Sequence, residues 1–127
     1  RKTKHSEVKT MIQKSTENIH KGDVFYADLG ENVGSEQNGI RPVLVIQNDL
    51  GNKFSPTLIV SPLTNKNKKL SLATHVCLGD VNGRKSMALL EQIRTIDRCR
   101  LLEYVATVDK SKMKLVNAAL HHSLDLD

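Results

Sequence analysis

Tryptophan is missing from this chain of 127 residues, and its only aromatic side chains are Phe25, Tyr26, Phe54 and Tyr104. None of the four sits in an RNP-like motif, which argues against an RNA-binding surface built on base stacking. Long apolar runs are missing too, so no transmembrane helix is available. The N-terminal stretch has no apolar h-region and does not read as a secretory signal. The two cysteines, Cys77 and Cys99, are far apart and form no CxxC pair. The expectation is free thiols in a reducing cytoplasm.

Motifs for metal and nucleotide chemistry are equally scarce. Neither HExxH nor an EF-hand loop occurs, and the acidic residues are scattered. His121 and His122 are adjacent on a predicted helix, where side chains diverge by about 100°, so they do not converge on one ion. Gly30, Gly34 and Gly39 lack the GK[ST] of a phosphate loop and do not lead into a helix. A GxSxG elbow is absent. Cys77 lies near His75, yet no third group orients the pair for nucleophilic catalysis. No metal and no cofactor are expected.

What is present is a modest positive charge, unevenly placed. Arg1, Lys2, Lys4, Lys9, Lys14 and Lys21 face only Glu7 and Glu17 in the first 21 residues, a local balance of +4. The rest of the chain therefore carries only +1 of the net +5. A basic tail assists phosphate binding without specificity, or simply solubilises a terminus. Val8, Met11, Ile12 and Ile19 follow roughly helical spacing behind Ser6, predicting a short helix or a frayed arm over residues 6–19.

Beyond the tail, short apolar runs alternate with turn signals. Strands are predicted at Val24–Leu29, at 41–48, at Thr57–Leu63, at Ala73–Leu78 and at Ser86–Leu90. Gln92–Ile96 and Leu101–Val108 supply more. The loop 30–39 is polar and glycine-rich, 49–56 reads as a turn full of breakers, 65–69 is a basic loop, and Gly79–Lys85 turns between two strands. Asp109 caps a final helix over 110–123, with Met113, Val116, Leu120 and Leu124 as its apolar stripe. The expected fold is mainly β with peripheral helices, a small and strongly curved sheet or barrel in one domain.

The stretch 34–49, GSEQNGIRPVLVIQND, organises the rest. Val43–Ile46 is apolar throughout and predicts a strand buried on both faces. Arg41 precedes Pro42, which favours extended backbone and puts a guanidinium at the mouth of that strand. Thr64 likewise borders an apolar run. On the residues alone two readings stay open: Arg41 pairs with Glu36 or Asp49 while Thr64 ends a strand, or the two build a site.

GDVFYADL (22–29), GSEQNGIRPVLVIQND (34–49), FSPT (54–57) and LLEQIRTID (89–97) resemble the successive signature blocks of the MazF/PemK toxin family, Gram-positive members above all. The resemblance spans about residues 21–124 and divides the chain into a basic extension (1–20) and a MazF-like endoribonuclease domain (21–127). It implies an SH3-like β-barrel of the MazF/PemK/CcdB type, assembled as a homodimer in the cytoplasm. It implies sequence-specific cleavage of single-stranded RNA without metal, and neutralisation by a MazE-like antitoxin. Arg41 and Thr64 match the catalytic arginine and threonine. Glu36 matches an active-site support, and Ser86, Gln47, Asn48 and Gln92 match substrate-binding positions. The alternative of another class is a CcdB-like toxin, which shares the fold and inhibits a protein such as gyrase without chemistry.

Overall fold

The computed structural model describes residues 18–34, 36–65 and 72–126. The predicted helix and basic extension lie almost wholly outside these residues, as does most of the lysine-rich loop. Seven strands form one curled antiparallel sheet: β1 (Asp23–Asp28), β2 (Ile40–Val45), β3 (Thr57–Thr64), β4 (His75–Val81), β5 (Arg84–Leu89), β6 (Arg94–Asp97) and β7 (Leu101–Thr107). Among the described residues two helices accompany it, α1 (Asp49–Phe54) and α2 (Lys110–Leu124). The strand order is β4-β5-β3-β2-β1-β7, with β6 also paired to β3.

Strand β3 changes partners along its length. Its residues 60–62 pair with β2, its first half pairs on the other edge with β6, and Leu63 and Thr64 pair with β5. The change of partner falls at Pro62, a residue with no N–H to donate. One strand thus links both halves of the sheet.

Both faces of the sheet are buried, as the unbroken apolar run in β2 predicts. Val43 and Val45 join Phe25, Ala27, Leu58, Val60 and Ile96 in one core. Leu44 and Ile46 point to the other, with Val24, Leu63, Ala88 and Leu90, where Val116 and Ala119 of α2 close the layer. Phe25 is fully buried and meets Tyr104 edge to face at 5.6 Å between ring centroids. Burial of such a ring is worth about 1.5–3 kcal/mol.

The last helix begins as expected. The Asp109 carboxylate accepts the Lys112 N–H at 2.9 Å and the Ser111 hydroxyl at 2.6 Å. Those two bonds, the hydroxyl first, hold its carboxyl below the ordinary carboxylate value. Met113, Val116 and Leu120 face the core, whereas Leu124 is half exposed near the helix end.

Three predicted segments change, beside shifts of up to three residues at other strand ends, where Gln92 falls in a 3-10 turn and not in β6. Residues 49–54 form α1 instead of a turn. The Asn48 side chain accepts the Gly51 N–H at 2.8 Å, and buried Asn52 donates to the Gln47 carbonyl at 2.9 Å. Gly51 suits this turn because a Cβ there would lie 3.0 Å from the Gln47 side chain. Strand β2 stops at Val45, short of the predicted residue 48, because Gln47 and Asn48 serve that helix. The turn at 79–85 shrinks to Asn82 and Gly83, both at positive φ (51° and 81°), in a tight hairpin between β4 and β5.

Candidate active site

Arg41 is the second residue of β2, paired with Ala27 of β1 and half-buried. Its Nε donates to the Asn38 carbonyl at 3.0 Å. Among the described residues it pairs with neither Glu36 nor Asp49; Asp49 instead accepts the Lys21 N–H at 2.7 Å. Thr64 is the final residue of β3, 2% exposed, opposite Met87 of β5. Ser86 precedes Met87, is buried, and donates its hydroxyl to the Arg84 carbonyl at 3.1 Å.

The pairing of β2, β3 and β5 brings these three side chains to one cavity of about 150 Å³, lined by Arg41, Thr64, Ser86, Arg84, Tyr26 and Asn65 among others. Among the described residues its lining holds two guanidiniums and no carboxylate. Such a site favours an anion, and an arginine presents planar paired donors to phosphate oxygens. The hydroxyls of Tyr26, Thr64 and Ser86 and the amides of Asn65 and Asn82 add neutral hydrogen-bonding groups.

Glu36 and Gln92 line a second cavity, of about 380 Å³, with Asn32, Gln37, Glu91, Arg94 and Pro62. Here two carboxylates, one guanidinium and three amides give mixed donors and acceptors, suited to polar edges more than to bare charge. The Gln37 N–H donates to Gln92 Oε1 at 3.1 Å, and Glu91 meets His75 Nε2 at 2.8 Å.

Gln47 and Asn48 are not brought to either cavity. The Gln47 amide donates to Asn52 Oδ1 and to the Thr57 carbonyl, while Asn48 caps α1. Both serve the packing of that helix.

Arg84, absent from the sequence reading, lines the same cavity as Arg41. The Asn82-Gly83 dipeptide could have located it. Such a pair signals a two-residue hairpin turn, which makes Arg84 the first residue of the returning strand.

The thiols do not join in. Cys77 and Cys99 are both exposed, and Asp97 beside Cys99 pushes its thiol up, away from the reactive thiolate. Among the described residues no three histidine, cysteine, aspartate or glutamate side chains cluster as metal ligands. No described helix is long and apolar enough to cross a membrane.

Residues 20–124 match a family model described as the PemK-like, MazF-like toxin of type II toxin–antitoxin systems. The chain is 50% identical over 111 residues to endoribonuclease EndoA of Bacillus subtilis strain 168, covering 85% of this chain and 96% of that protein. It is 48% identical over 111 residues to endoribonuclease MazF of Staphylococcus saprophyticus, covering 85% and 92%. The fold is similar to that of MazF from Deinococcus radiodurans, with a TM-score of 0.74 at 24% identity over 84% of this chain and 96% of that one. It is similar also to a mycobacterial endoribonuclease in complex with its cognate antitoxin, with a TM-score of 0.73 at 24% identity over 86% and 97%.

Proposed function

The chain belongs to the PemK-like, MazF-like toxins of type II toxin–antitoxin systems, and from that membership we propose that it is an endoribonuclease that cleaves single-stranded RNA. The observation that carries the reading is the shared cavity of Arg41 and Thr64, two residues distant in the chain. A MazE-like antitoxin restrains the enzyme, and a second copy of the chain completes the RNA groove.

RNA supplies its own nucleophile. The ribose 2′-oxygen attacks the adjacent phosphorus, the bond from phosphorus to the 5′-oxygen breaks, and the products end in a 2′,3′-cyclic phosphate and a 5′-hydroxyl. The 2′-hydroxyl loses a proton and the leaving 5′-oxygen gains one. Negative charge accumulates on the non-bridging oxygens between these events, and stabilising it is commonly the largest catalytic contribution. Arg41 does this as a permanent cation with its donors in a fixed fork. Thr64 holds the phosphate or the 2′-oxygen by its hydroxyl, and Ser86 contacts the same strand.

A guanidinium stays protonated far above neutral pH, so Arg41 acts as donor and not as base. Glu36 is the candidate acceptor of the 2′-hydroxyl proton, although it lines the neighbouring cavity. Equal turnover by Glu36→Gln would assign that proton to water. The cavity of Asn32, Glu36 and Glu91 offers the polar edges that base recognition needs, and there the RNA sequence is read.

The test is incubation of a long unpaired RNA with the protein in excess EDTA, followed by mapping of ends. Discrete fragments with cyclic-phosphate and 5′-hydroxyl ends are expected. Intact RNA would refute the reading and return attention to a toxin that inhibits a protein; the Arg41–Thr64 cavity does not favour that role.

Arg84 adds a second contact to phosphate. Arg84→Ala should raise KM and flatten the salt dependence of binding, the slope of log K against log salt falling by about 0.7 for one lost single-strand contact. A salt titration of binding to a fluorescent oligoribonucleotide checks this, and an unchanged slope would remove Arg84 from the groove.

A further inference from the structure

The 3-10 turn Leu90–Gln92 is pinned from three sides. Leu90 is fully buried, its N–H donates to the Thr74 carbonyl at 2.8 Å, and its carbonyl accepts the Ser123 hydroxyl of α2 at 2.9 Å. Glu91 meets His75 of β4 at 2.8 Å. Core packing, a helix and a strand edge thus immobilise one short turn, which makes it a platform.

Gln92 reaches out from that platform. Its Oε1 accepts the Gln37 N–H at 3.1 Å, and because a backbone N–H demands an acceptor, the contact fixes which end of the amide faces the loop. Other hydrogen bonds of residues 36–39 close the loop on itself or on the β1–β2 ladder: Glu36 N–H to the Val33 carbonyl, and Gly30 with Leu29 to Gly39. Asn32 bridges the Leu29 and Gln37 carbonyls. Among the described residues, Gln92 gives the only hydrogen bond from this loop to the 3-10 turn. The next residue, Asn38, offers its carbonyl to Arg41 Nε at 3.0 Å. With Nε engaged from behind, the two terminal amino groups of the guanidinium are left to face a phosphate.

We propose that Gln92 is a positioning residue: through Gln37 and the Asn38 carbonyl it fixes the angle at which Arg41 presents its guanidinium. This rests on Arg41 being the group that stabilises the phosphate. Gln92 touches neither the reacting atoms nor Arg41; it transmits the rigidity of the platform across one loop. Small displacements of a charge-stabilising group are costly in rate, and groups that orient such a residue commonly matter by about tenfold to a hundredfold.

The experiment compares Gln92→Leu, Gln92→Glu and Arg41→Ala on an oligoribonucleotide spanning a mapped cut site, with kcat and KM resolved separately. Gln92→Leu should lower kcat by about tenfold or more and leave KM within about threefold, the pattern of a defect confined to the transition state. Gln92→Glu retains an oxygen for the Gln37 N–H and should restore most of kcat. It should also raise KM, because a third carboxylate joins Glu36 and Glu91 beside a polyanion. The Arg41 Nε–H resonance gives a direct readout: slow solvent exchange in the wild type, fast in Gln92→Leu, slow again in Gln92→Glu.

A Gln92→Leu variant with raised KM and intact kcat would show direct contact with RNA and overturn the proposal. Failure of Gln92→Glu to recover kcat, or an Nε–H exchange rate indifferent to all three side chains, would do the same. If Arg41→Ala cleaves as fast as the wild type, the charge-stabilising role of Arg41 falls and the positioning role with it; if Arg41→Ala is inactive and Gln92→Leu fully active, only the positioning role falls.

Discussion

Arg41→Ala should lower kcat/KM for RNA cleavage by about a hundredfold or more, equivalent to the loss of a main donor at the developing charge. The expectation follows from the inventory of the cavity. Among the described residues Arg41 and Arg84 are its only cations, and Arg84 occupies the exposed hairpin end while Arg41 is half-buried on a core strand. Position and desolvation make Arg41 the stronger contributor, since charge interactions weaken in open solvent. Arg41→Lys should recover binding better than turnover, because an ammonium restores the charge but not the planar fork. Single-turnover cleavage of a short RNA measures both variants. Cleavage by Arg41→Ala at the wild-type rate would reject the mechanism, whatever the fold.

A single 2′-deoxy substitution at the cut site should abolish cleavage while leaving the oligonucleotide bound within a few-fold of the all-ribose one. The substitution removes the nucleophile and little else, so the two readouts separate chemistry from recognition. The alternative nucleophile within the cavity is a protein hydroxyl, that of Thr64, Ser86 or Tyr26. None of them has an imidazole or carboxylate among the cavity's described lining residues to take its proton. Ser86 is moreover engaged with the Arg84 carbonyl. Cutting of the deoxy substrate would therefore mean attack by water or by a protein hydroxyl, and only the second leaves a covalent phosphoryl-enzyme, which denaturing gels with end-labelled RNA would reveal. Binding is followed by anisotropy under the same conditions.

Much of the frame is legible in the sequence because short apolar runs separated by turn residues have few other physical uses. The run Val43–Ile46 could only be buried on both faces, and it feeds two cores. Asp109, followed by a 3.6-residue apolar stripe, is a helix start that chemistry alone identifies. The failures are short-range. Residues 49–54 hold too few turns for periodicity to register, and Gly51 with Pro56 imitates a loop. What makes the helix is the side-chain cap of Asn48 and the hydrogen bonds of Asn52, contacts that composition does not display.

The site was legible in a different sense. Arg41 and Thr64 could be singled out as polar residues at strand mouths, but their meeting depends on the register of three strand pairs, which no local pattern specifies. The family resemblance supplied that pairing, along with Gln47 and Asn48, whose side chains the fold directs to α1. Arg84 escaped notice because a seven-residue turn was expected where two residues suffice.

The doubly partnered strand β3 has a further bearing on how the molecule breathes. Leu58 and Val60 are wholly shielded, and Val60 is in register with a neighbour on each side. Their amides can exchange with deuterium only when the whole sheet comes apart, not through local fraying. Thr64, at the end of that strand, is therefore tethered to the slowest-opening unit of the protein. The Thr64 hydroxyl keeps its place for as long as the molecule is folded at all, while the loops around it are free to differ.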